Sequence, residues 1–518
     1  MDFFFNNIGG ALGALSSVNL LLIMGAGVSI GIVLGALPGF GSSQSLALLF
    51  PLSFVMTVDQ SILFFLAVYS AVEYGSSIPA ILIRTPGSGA SAVTVLDGYT
   101  MARKGLAKKA LRISLYSAVI GGTTSTLIFI IAGTSLGHAA LLFGPSELFA
   151  IGVFGLAIVG SFFGKDPLRG FLATGIGLAM ATIGSSGFGG VRFTFDQSFL
   201  IDGIPLVVVI IAFLAGPEAF RLLVDNRRTV EPPDKAFDAT ISDQNNKILG
   251  SLVRKLIPTW LRGSFFGTAV GIIPGAGASV GALLAYSEEK RWSKHPEKFG
   301  TGIPEGVAAP EVANNAVVAG TLVPTLTLAI PGSGGAAILL GVLVSKGVVP
   351  GPNLFRDEGT FVMTVFMGLF VINAFILIIG LFGTRLFSIV ARVPLRVLGP
   401  FVMLLIIAGS YAIGNYTAHI VMVLVLGAVG YCFEKIEIPV VPIVLAFIMG
   451  PIIEKNISRA LTISGGNLEE VFLRPIPIII LLLSLATFIY SLLTMLRARK
   501  FTEAEADEGE GPPATQTK

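Results

Sequence analysis

The chain has 518 residues, of which 53% are hydrophobic and 13% are charged, and it contains 63 glycines and 28 prolines. Soluble proteins carry about 25% charged residues, so this composition excludes an ordinary soluble domain and indicates a membrane protein. The net charge of +3 excludes a nucleic acid as a partner. One cysteine, Cys432, and three scattered histidines provide neither an internal disulfide nor a Cys/His metal cluster, and we expect no resident cofactor.

Apolar runs of the length that a bilayer span needs, about 20 residues, recur along the chain. They lie at residues 61–83, 113–133, 146–163, 170–185, 204–222, 360–383, 398–414, 417–433, 437–452 and 475–496. Three further regions, 18–56, 263–287 and 306–349, are apolar but interrupted by Pro-Gly clusters. The pattern predicts an all-α polytopic membrane protein with roughly 11–12 transmembrane helices, several of them broken or re-entrant.

Basic residues indicate which loops are cytoplasmic, because Lys and Arg are retained on that side of the membrane. Most of them, 27 of the 34 Lys and Arg residues, lie in segments 101–112, 164–169, 221–262, 288–300, 384–397 and 434–436 and in the chain from 497 onward. We therefore predict that these segments, including the C-terminus, are cytoplasmic. This orientation requires residues 263–287 to enter the membrane and return on the same side, around Pro274-Gly275.

A polar, charged stretch divides the chain into two halves of similar size. We predict that this stretch, 226–262, is a cytoplasmic linker between a first membrane repeat, 18–225, and a second, 263–473. An additional transmembrane helix is predicted at 474–496. The acidic segment 501–518 has too little apolar surface to fold and is predicted to be a disordered tail.

One sequence pattern is written twice in the chain. Residues 75–89 and 320–334 both read G-x3-P-x6-P-G-S-G, at an offset of 245. Upstream, Gly35-Ala-Leu-Pro-Gly-Phe-Gly41 matches Gly271-Ile-Ile-Pro-Gly-Ala-Gly277 at an offset of 236. Near the end of each half, Ala212-Phe-x2-Gly-Pro217 matches Ala446-Phe-x2-Gly-Pro451 at an offset of 234. Three matches in the same order indicate an internal duplication.

The charge pattern gives the relative orientation of the two copies. The segment after the first Pro-Gly-Ser-Gly ends at the basic loop 101–112, whereas its counterpart ends at the nearly uncharged loop 350–359. The two copies are therefore predicted to face opposite ways. Inverted repeats with Gly/Pro-interrupted segments at corresponding positions are typical of secondary transporters, whose binding site lies near the membrane midplane.

Each Pro-Gly cluster is predicted to break a helix inside the membrane, which leaves backbone N–H and C=O groups in need of partners. Helix N-termini beside such breaks suit an anion, and glycine lets the backbone approach a ligand closely. The predicted substrate-binding residues are Gly39, Gly41, Ser42, Ser43, Pro86, Gly87, Ser88, Gly89, Gly275, Gly277, Ser279, Pro331, Gly332, Ser333 and Gly334. The alternative is that these small residues merely allow tight helix packing.

Two carboxylates lie beside the repeated breaks, and burying charge in a membrane is costly and usually functional. The candidates for coupling transport to a cation are Glu73, Thr85, Glu311, Asn314 and Asn315. The sequence leaves Na⁺ and H⁺ open as the coupling ion. Arg84, just before Pro86, is a candidate partner for a substrate carboxylate. The alternative for Glu73, Arg84 and Glu311 is a structural ion pair or an interfacial position.

Two further motifs are Asp97-Gly-Tyr-Thr-Met-Ala-Arg-Lys-Gly105 and Pro310-Glu-Val-Ala-Asn-Asn-Ala316. With the repeated Pro-Gly motifs they resemble the large membrane subunit of the tripartite tricarboxylate transporters, the TctA type, over essentially residues 20–490. The resemblance implies a bacterial inner-membrane permease driven by an ion gradient. It implies two partners, a small four-helix membrane subunit (TctB type) and a periplasmic solute-binding protein (TctC type). It also implies organic-acid substrates, typically di- and tricarboxylates such as citrate.

Two other function classes use broken membrane helices or buried serines. In an ion channel the breaks would line a selectivity filter, and in an intramembrane enzyme the serines after Pro-Gly would be nucleophiles. The sequence has no H-E-x-x-H motif, no Ser-His pair beside these serines and no G-x4-G-K-[ST] loop for ATP. It therefore favours a secondary transporter, and we expect no enzymatic activity.

Overall fold

The computed structural model describes the chain except for Met1, Pro38, 141–142, 163–165, 187–188, 225–249, 391–394, 413–414 and 510–518. Most of the described residues are helical. The one sheet among them is a hairpin in which Gly184–Ser185 (β1) pairs antiparallel with Val191–Arg192 (β2).

The first half of the chain forms eleven helices in its described residues, two of them continued by a π-helical turn. They are α1 (Asp2–Leu15), α2 (Val18–Gly35), α3 (Ser42–Leu49), α4 (Val58–Gly75), α5 (Ser77–Ile83), α6 (Ser91–Met101), α7 (Ala107–Ala140), α8 (Pro145–Phe162), α9 (Pro167–Ala181), α10 (Leu206–Ile210) and α11 (Gly216–Val224). The π turns are Ala102–Leu106 and Ile211–Ala215, and short 3-10 turns lie at Phe50–Val55 and Ser198–Leu200.

The second half repeats much of this order. Its helices are α12 (Gly250–Ile272), α13 (Gly277–Trp292), α14 (Pro304–Leu328), α15 (Gly334–Ser345), α16 (Pro352–Asp357), α17 (Gly359–Val390), α18 (Leu395–Ala412), α19 (Thr417–Lys435), α20 (Val440–Ile463), α21 (Leu468–Phe472) and α22 (Pro475–Gly509). Helices α12 and α13 pack against each other on either side of the turn at 273–276, which is the hairpin predicted for 263–287.

Eight helical segments in the described part of the chain are long and apolar enough to cross a membrane. They are Val18–Gly35, Val58–Ile83, Ser91–Leu136, Leu206–Val224, Gly359–Gly383, Thr417–Lys435, Val440–Ile463 and Pro475–Leu496. Five shorter apolar helices accompany them, among them Ser42–Val55 and Gly334–Ser345 beside the Pro-Gly clusters. The all-α polytopic membrane fold is thereby confirmed, while crossing by the shorter helices stays a prediction.

Local sequence signals explain where several helices begin. The hydroxyl of Thr57 accepts from the Gln60 amide (3.4 Å), and the Gln60 side chain accepts from the Thr57 amide (3.1 Å). This reciprocal cap satisfies two amides that a helix start leaves without partners, so α4 begins after Thr57. Asp166 caps α9 in the same sense, because its carboxylate accepts from Leu168 and Pro167 occupies the first helical position.

Glycines let the long helices of each half pack backbone to backbone. Helix α2 lies along α4, and α12 lies along α14. A β carbon at Gly35 would collide with the backbone of Val72, and one at Gly271 would lie 2.7 Å from the carbonyl oxygen of Val317. The equivalent contacts in the two halves show that the small residues at these positions serve helix packing.

Contacts between loops follow the predicted sides of the membrane. Lys104 donates to the Thr301 carbonyl (2.6 Å), and both residues belong to segments at or next to loops predicted to be cytoplasmic. Arg169 pairs with Glu437 (2.6 Å) on that same predicted side. On the opposite side Arg192 pairs with Glu454 (2.9 Å). The basic segment 101–112, predicted as a loop, is helical and contains the π turn between α6 and α7.

The predicted segment boundaries fall partly outside the described residues. Of the linker 226–262, residues up to 249 are not described, and the remainder forms the start of α12. Helix α22 extends to Gly509, past the predicted boundary at 496 and into the segment predicted as a disordered tail. Residues 510–518 of that tail lie outside the described part of the chain.

Candidate functional site

The Pro-Gly clusters of each repeat bond to each other. In the first repeat the Gly39 amide donates to the Pro86 carbonyl (3.3 Å), and in the second the Gly275 amide donates to the Gly332 carbonyl (3.1 Å). Both Gly39 and Gly275 have a φ of +79°, a backbone conformation that favours glycine. Each repeat therefore ties its two breaks together by the same type of main-chain hydrogen bond.

The second break of each repeat has the same backbone geometry. Arg84 and Ala329, which correspond at the offset of 245, both have a φ of +58°. The next residue makes the same hydrogen bond in both turns. The Thr85 amide donates to the Pro79 carbonyl (3.3 Å), and the Ile330 amide donates to the Pro324 carbonyl (3.2 Å). Proline has no backbone N–H, so these prolines leave no unpaired amide of their own. The residue with left-handed backbone conformation ends the helix. The repeated sequence motif thus has the same local backbone geometry at both places.

The breaks of the two repeats also contact each other. A β carbon at Gly89 would lie 2.6 Å from the Ser279 hydroxyl, and one at Gly334 would collide with the Ser43 hydroxyl. These two contacts are equivalent, because Ser43 matches Ser279 and Gly89 matches Gly334 in the repeat. Gly41 lies near Ser88, with 3.9 Å from its β position to the Ser88 Cβ. The structure therefore brings all four predicted clusters to one place.

Several of the predicted ligand hydroxyls already have backbone partners. Ser333 caps α15, because its hydroxyl accepts from the Ala336 amide (3.1 Å). In the first repeat the Ser88 hydroxyl accepts from the Ser91 amide (3.4 Å) and donates to the Ser76 hydroxyl (3.1 Å). Their first role in this structure is to hold the backbone that follows each break.

The glycines at the breaks differ in their surroundings. A β carbon at Gly332 would lie 2.6 Å from the Gly271 carbonyl oxygen, and one at Gly87 would collide with the carbonyl of Gly35. At these two positions glycine allows close approach to a neighbouring helix backbone. Gly277, by contrast, has a φ of +68° and open space where a β carbon would be. Gly277 therefore has open space beside it, whereas Gly87 and Gly332 approach backbone closely, and substrate binding at all three stays a prediction.

Glu73 is the predicted carboxylate with a partnerless oxygen, within the described structure, at the place where the four Pro-Gly clusters meet, which we call the junction. Glu73 is 2% exposed, and its Oε2 has no hydrogen-bond partner among the described residues. Its side chain lies against those of Ser42 and Asn314. The Asn314 Nδ2 donates to the Glu73 backbone carbonyl (3.1 Å), and the Asn314 Oδ1 is also buried without a partner in the described structure. Two buried side-chain oxygens, one from each repeat, therefore have no hydrogen-bond partner in the described structure.

The other coupling candidates have partners of their own. Glu311 is fully buried and accepts hydrogen bonds from the Thr94 hydroxyl and from the Ser114 hydroxyl (2.9 Å). Asn315 donates to the Glu311 carbonyl within its own helix (3.3 Å), and Thr85 donates to the Ile83 carbonyl (3.2 Å). Of the five candidates, Glu73 and Asn314 are thus the pair with unused oxygens.

Arg84 lies beside the first break with its guanidinium 6.0 Å from the centre of the Tyr99 ring. No ion pair of Arg84 occurs among the described residues. A substrate carboxylate as its partner stays a prediction.

Two residues with buried cross-chain contacts were not among the predicted site residues. Tyr69 is 1% exposed, and its hydroxyl lies 2.8 Å from that of Ser333. Asp97 is fully buried and accepts from the Gly302 amide (2.7 Å) and the Tyr286 hydroxyl (2.9 Å). A tyrosine in an apolar run, such as Tyr69, does not stand out in the sequence. An aspartate in an apolar helix, such as Asp97, does stand out, because burying its charge is costly.

Proteins of Agrobacterium vitis are similar in sequence to this chain. The "Uncharacterized 52.8 kDa protein in TAR-I ttuC' 3'region" of Agrobacterium vitis is 32% identical over 488 residues, which cover 94% of this chain and 96% of that protein. The "Uncharacterized protein in TAR-II ttuC' 3'region" of the same organism is 31% identical over 234 residues, or 45% of this chain and 97% of that protein. No solved structure matches this chain significantly.

Long apolar helices and four backbone breaks that meet between the repeats define a multi-pass membrane protein with irregular backbone between its helices. Residues 21–445 match the tripartite tricarboxylate transporter TctA family. The chain belongs to this family and is a large membrane subunit of the tripartite type, which confirms the resemblance seen in its motifs.

Proposed function

We propose that this chain is the permease subunit of a binding-protein-dependent secondary transporter that imports di- and tricarboxylates into a bacterial cell. It works in the inner membrane, with its C-terminus in the cytoplasm. A TctB-type membrane subunit and a TctC-type periplasmic solute-binding protein are its partners, as membership of a tripartite family implies. The substrate passes from the binding protein to the junction of the four breaks.

The convergence of the breaks from both repeats is the observation that carries this proposal. Helices α3, α6, α13 and α15 all begin directly after a break, so their N-terminal amides and partial positive charges point toward the junction. Such amides suit the carboxylates of an organic acid. Because the junction is shared between the repeats, relative movement of the repeats changes the side from which it is reached.

A coupling cation fits the remaining oxygens. Glu73 Oε2 and Asn314 Oδ1 are buried oxygens without a hydrogen-bond partner in the described structure, and the Ser42 side chain lies against the same carboxylate. Oxygen ligands suit a hard cation, and a positive charge there offsets the cost of burying the carboxylate. We assign Na⁺ to this position, which makes Na⁺ the bridge between the two repeats.

The test is uptake of radiolabelled citrate and of a panel of dicarboxylates into proteoliposomes. The vesicles contain this chain with its TctB-type partner, and the TctC-type protein is added outside under an inward Na⁺ gradient. We expect saturable accumulation of one or more acids that requires all three proteins. Omission of each protein in turn is the control. Failure to accumulate any acid of the panel, or equal uptake without the binding protein, contradicts the proposal.

A further inference from the structure

A cavity of about 1040 Å³ opens beside the second repeat's break. One wall is formed by α20, and another by the segment between α15 and α17. Its lining includes Ala329, the left-handed residue two positions before Pro331-Gly332. We call this cavity the vestibule. It leads from the surface to the backbone break that the proposed function assigns to the substrate.

Two basic side chains on α20 face the vestibule. Lys455 and Arg459 are four residues apart, so they lie on the same side of the helix, and both line the cavity. Neither forms an ion pair or a hydrogen bond with another described residue. A third basic residue, Lys346, also lines the cavity, but its ammonium donates to the Met56 carbonyl (2.6 Å). The basic groups of α20 are therefore free to take an anion.

The acidic residues of the vestibule belong to other elements. Asp357 is paired with Arg356 (2.8 Å). Asp59 at the start of α4 and Glu358 just before α17 lie close enough to interact electrostatically with each other. The vestibule thus has a basic wall on α20 and an acidic wall formed by the start of α4 and by the residues between α16 and α17. An anion is favoured against the first wall and repelled by the second, which gives it a defined place.

The internal repeat places a basic residue at the corresponding position of the first half. Lys455 matches Arg221 at the offset of 234. The Arg221 guanidinium lies 3.9 Å from the position that a β carbon of Gly39 would take, and it pairs with Glu218. A cation next to a break is therefore a feature of both halves, and in the second half it has no carboxylate partner.

We infer that Lys455 and Arg459 form a carboxylate-binding site in the vestibule, where an organic anion is captured before it reaches the central breaks. This inference rests on the proposed function, which supplies the anionic substrate. Two unpaired cations at the mouth of a cavity raise the local concentration of anions and the rate of their entry, and salt weakens the effect.

Charge-selective labelling tests the site without any transport. The reporter is Asn353→Cys, an exposed position in the vestibule, in a Cys432→Ser background and in detergent at low salt. Its labelling rates with an anionic and a cationic methanethiosulfonate reagent give a ratio. We expect Lys455→Gln/Arg459→Gln to lower the anionic-to-cationic ratio about 3–10-fold. Millimolar citrate is expected to slow labelling in the parent reporter and not in this variant.

Two controls make the result specific. Arg474→Gln removes a basic residue outside the vestibule, near Glu147, and is expected to leave the ratio at position 353 unchanged. A second reporter, Ser198→Cys, lies on the segment after β2 and is expected to be insensitive to Lys455→Gln/Arg459→Gln. An unchanged ratio at 353, or absence of citrate protection, overturns the vestibule site. If the labelling ratio or citrate protection fails but citrate uptake is normal, only the vestibule site is rejected and the proposed function stands. If uptake fails, the labelling ratio and citrate protection can still be measured on the same chain.

Discussion

The hydroxyl groups of Tyr69 and Ser333 lie 2.8 Å apart, although 264 residues separate them in the chain. Ser333 is also the cap of α15, so the first repeat holds the break of the second repeat through this contact. Asn314, which matches Tyr69 at the offset of 245, also contacts the other repeat, because its side-chain amide donates to the Glu73 carbonyl (3.1 Å). Each repeat thus supports the centre of the other.

Removal of the Tyr69 hydroxyl should therefore be costly. We expect Tyr69→Phe to lower the stability of the purified protein by about 1 kcal/mol and to reduce substrate uptake. Tyr74→Phe is the matched control, because the buried Tyr74 hydroxyl on the same helix has no partner in the described structure. Thermal unfolding in detergent measures the stability of both variants. A double-mutant cycle with Ser333→Ala should show coupling, and additive effects would mean that the contact contributes nothing.

The sequence predicts the local parts of this centre well and the contacts between its parts poorly. Repeated proline and glycine spacing was enough to locate the breaks around Gly39, Pro86, Gly275 and Pro331, because turn geometry is a local property. The Tyr69–Ser333 contact depends on how two distant segments pack, and no local pattern encodes it.

The two buried glutamates show the same limit. Glu73 and Glu311 look alike in sequence, since both are single acids in apolar segments. The structure separates them: the hydroxyls of Thr94 and Ser114 hydrogen-bond to Glu311, whereas Glu73 Oε2 has no partner among the described residues. Those hydroxyls come from another part of the chain, so the difference is a property of packing and not of either glutamate's neighbours in sequence.

Two glycines of α2 offer a direct test of the packing role. Gly35→Ala places a methyl group against the backbone of Val72, while Gly25→Ala meets no atom within 4 Å. We expect the first to destabilise the protein by about 1–3 kcal/mol and the second to be neutral or stabilising by up to about 1 kcal/mol. The unfolding temperature in detergent measures the difference. Equal temperatures for the two variants would show that α2 and α4 do not pack closely at Gly35.

Asp97 ties α6 to the segment that precedes α14. Its carboxylate accepts from the Gly302 amide (2.7 Å) and the Ile303 amide (3.0 Å) in a buried position. In Asp97→Asn one oxygen becomes a donor that faces these amides, so we expect a loss of about 2–3 kcal/mol. Glu288→Gln, which weakens an exposed pair with Arg291, should cost less than about 0.5 kcal/mol. Equal losses of unfolding free energy in the two variants would show that the buried hydrogen bonds of Asp97 do not stabilise the protein more than an exposed ion pair does.

Cysteine labelling in cells tests the orientation of the chain. In a Cys432→Ser background, Ser251→Cys and Thr301→Cys should react only with membrane-permeant reagents, because Ser251 lies in a segment predicted to be cytoplasmic and Thr301 directly follows another, 288–300. Ser198→Cys and Glu470→Cys should react with impermeant reagents from outside. All four positions are exposed in the structure. Labelling of Thr301→Cys from outside would overturn both the orientation and the inverted arrangement of the repeats.

The last prediction concerns the coupling ion, and it uses the difference between the two buried glutamates. Glu73→Gln keeps the size of the side chain but removes the charge next to the unpartnered Asn314 oxygen. We expect it to weaken activation by Na⁺ at least about tenfold, the scale on which changes around a metal site act. Glu311→Gln should retain the Na⁺ dependence, because its oxygens already accept hydrogen bonds from hydroxyls.

Uptake into proteoliposomes with separately imposed Na⁺ and pH gradients distinguishes the two ions. A Na⁺ at Glu73 and Asn314 joins the repeats and offsets the buried carboxylate, so uptake should follow the Na⁺ gradient, and Glu73→Gln should need a higher Na⁺ concentration for the same uptake. A proton on Glu73 would also remove the cost of burying the carboxylate, because the protonated group is neutral. Uptake that follows the pH gradient in Na⁺-free buffer, and that is lost in Glu73→Gln, would therefore reject Na⁺ and make Glu73 the proton carrier.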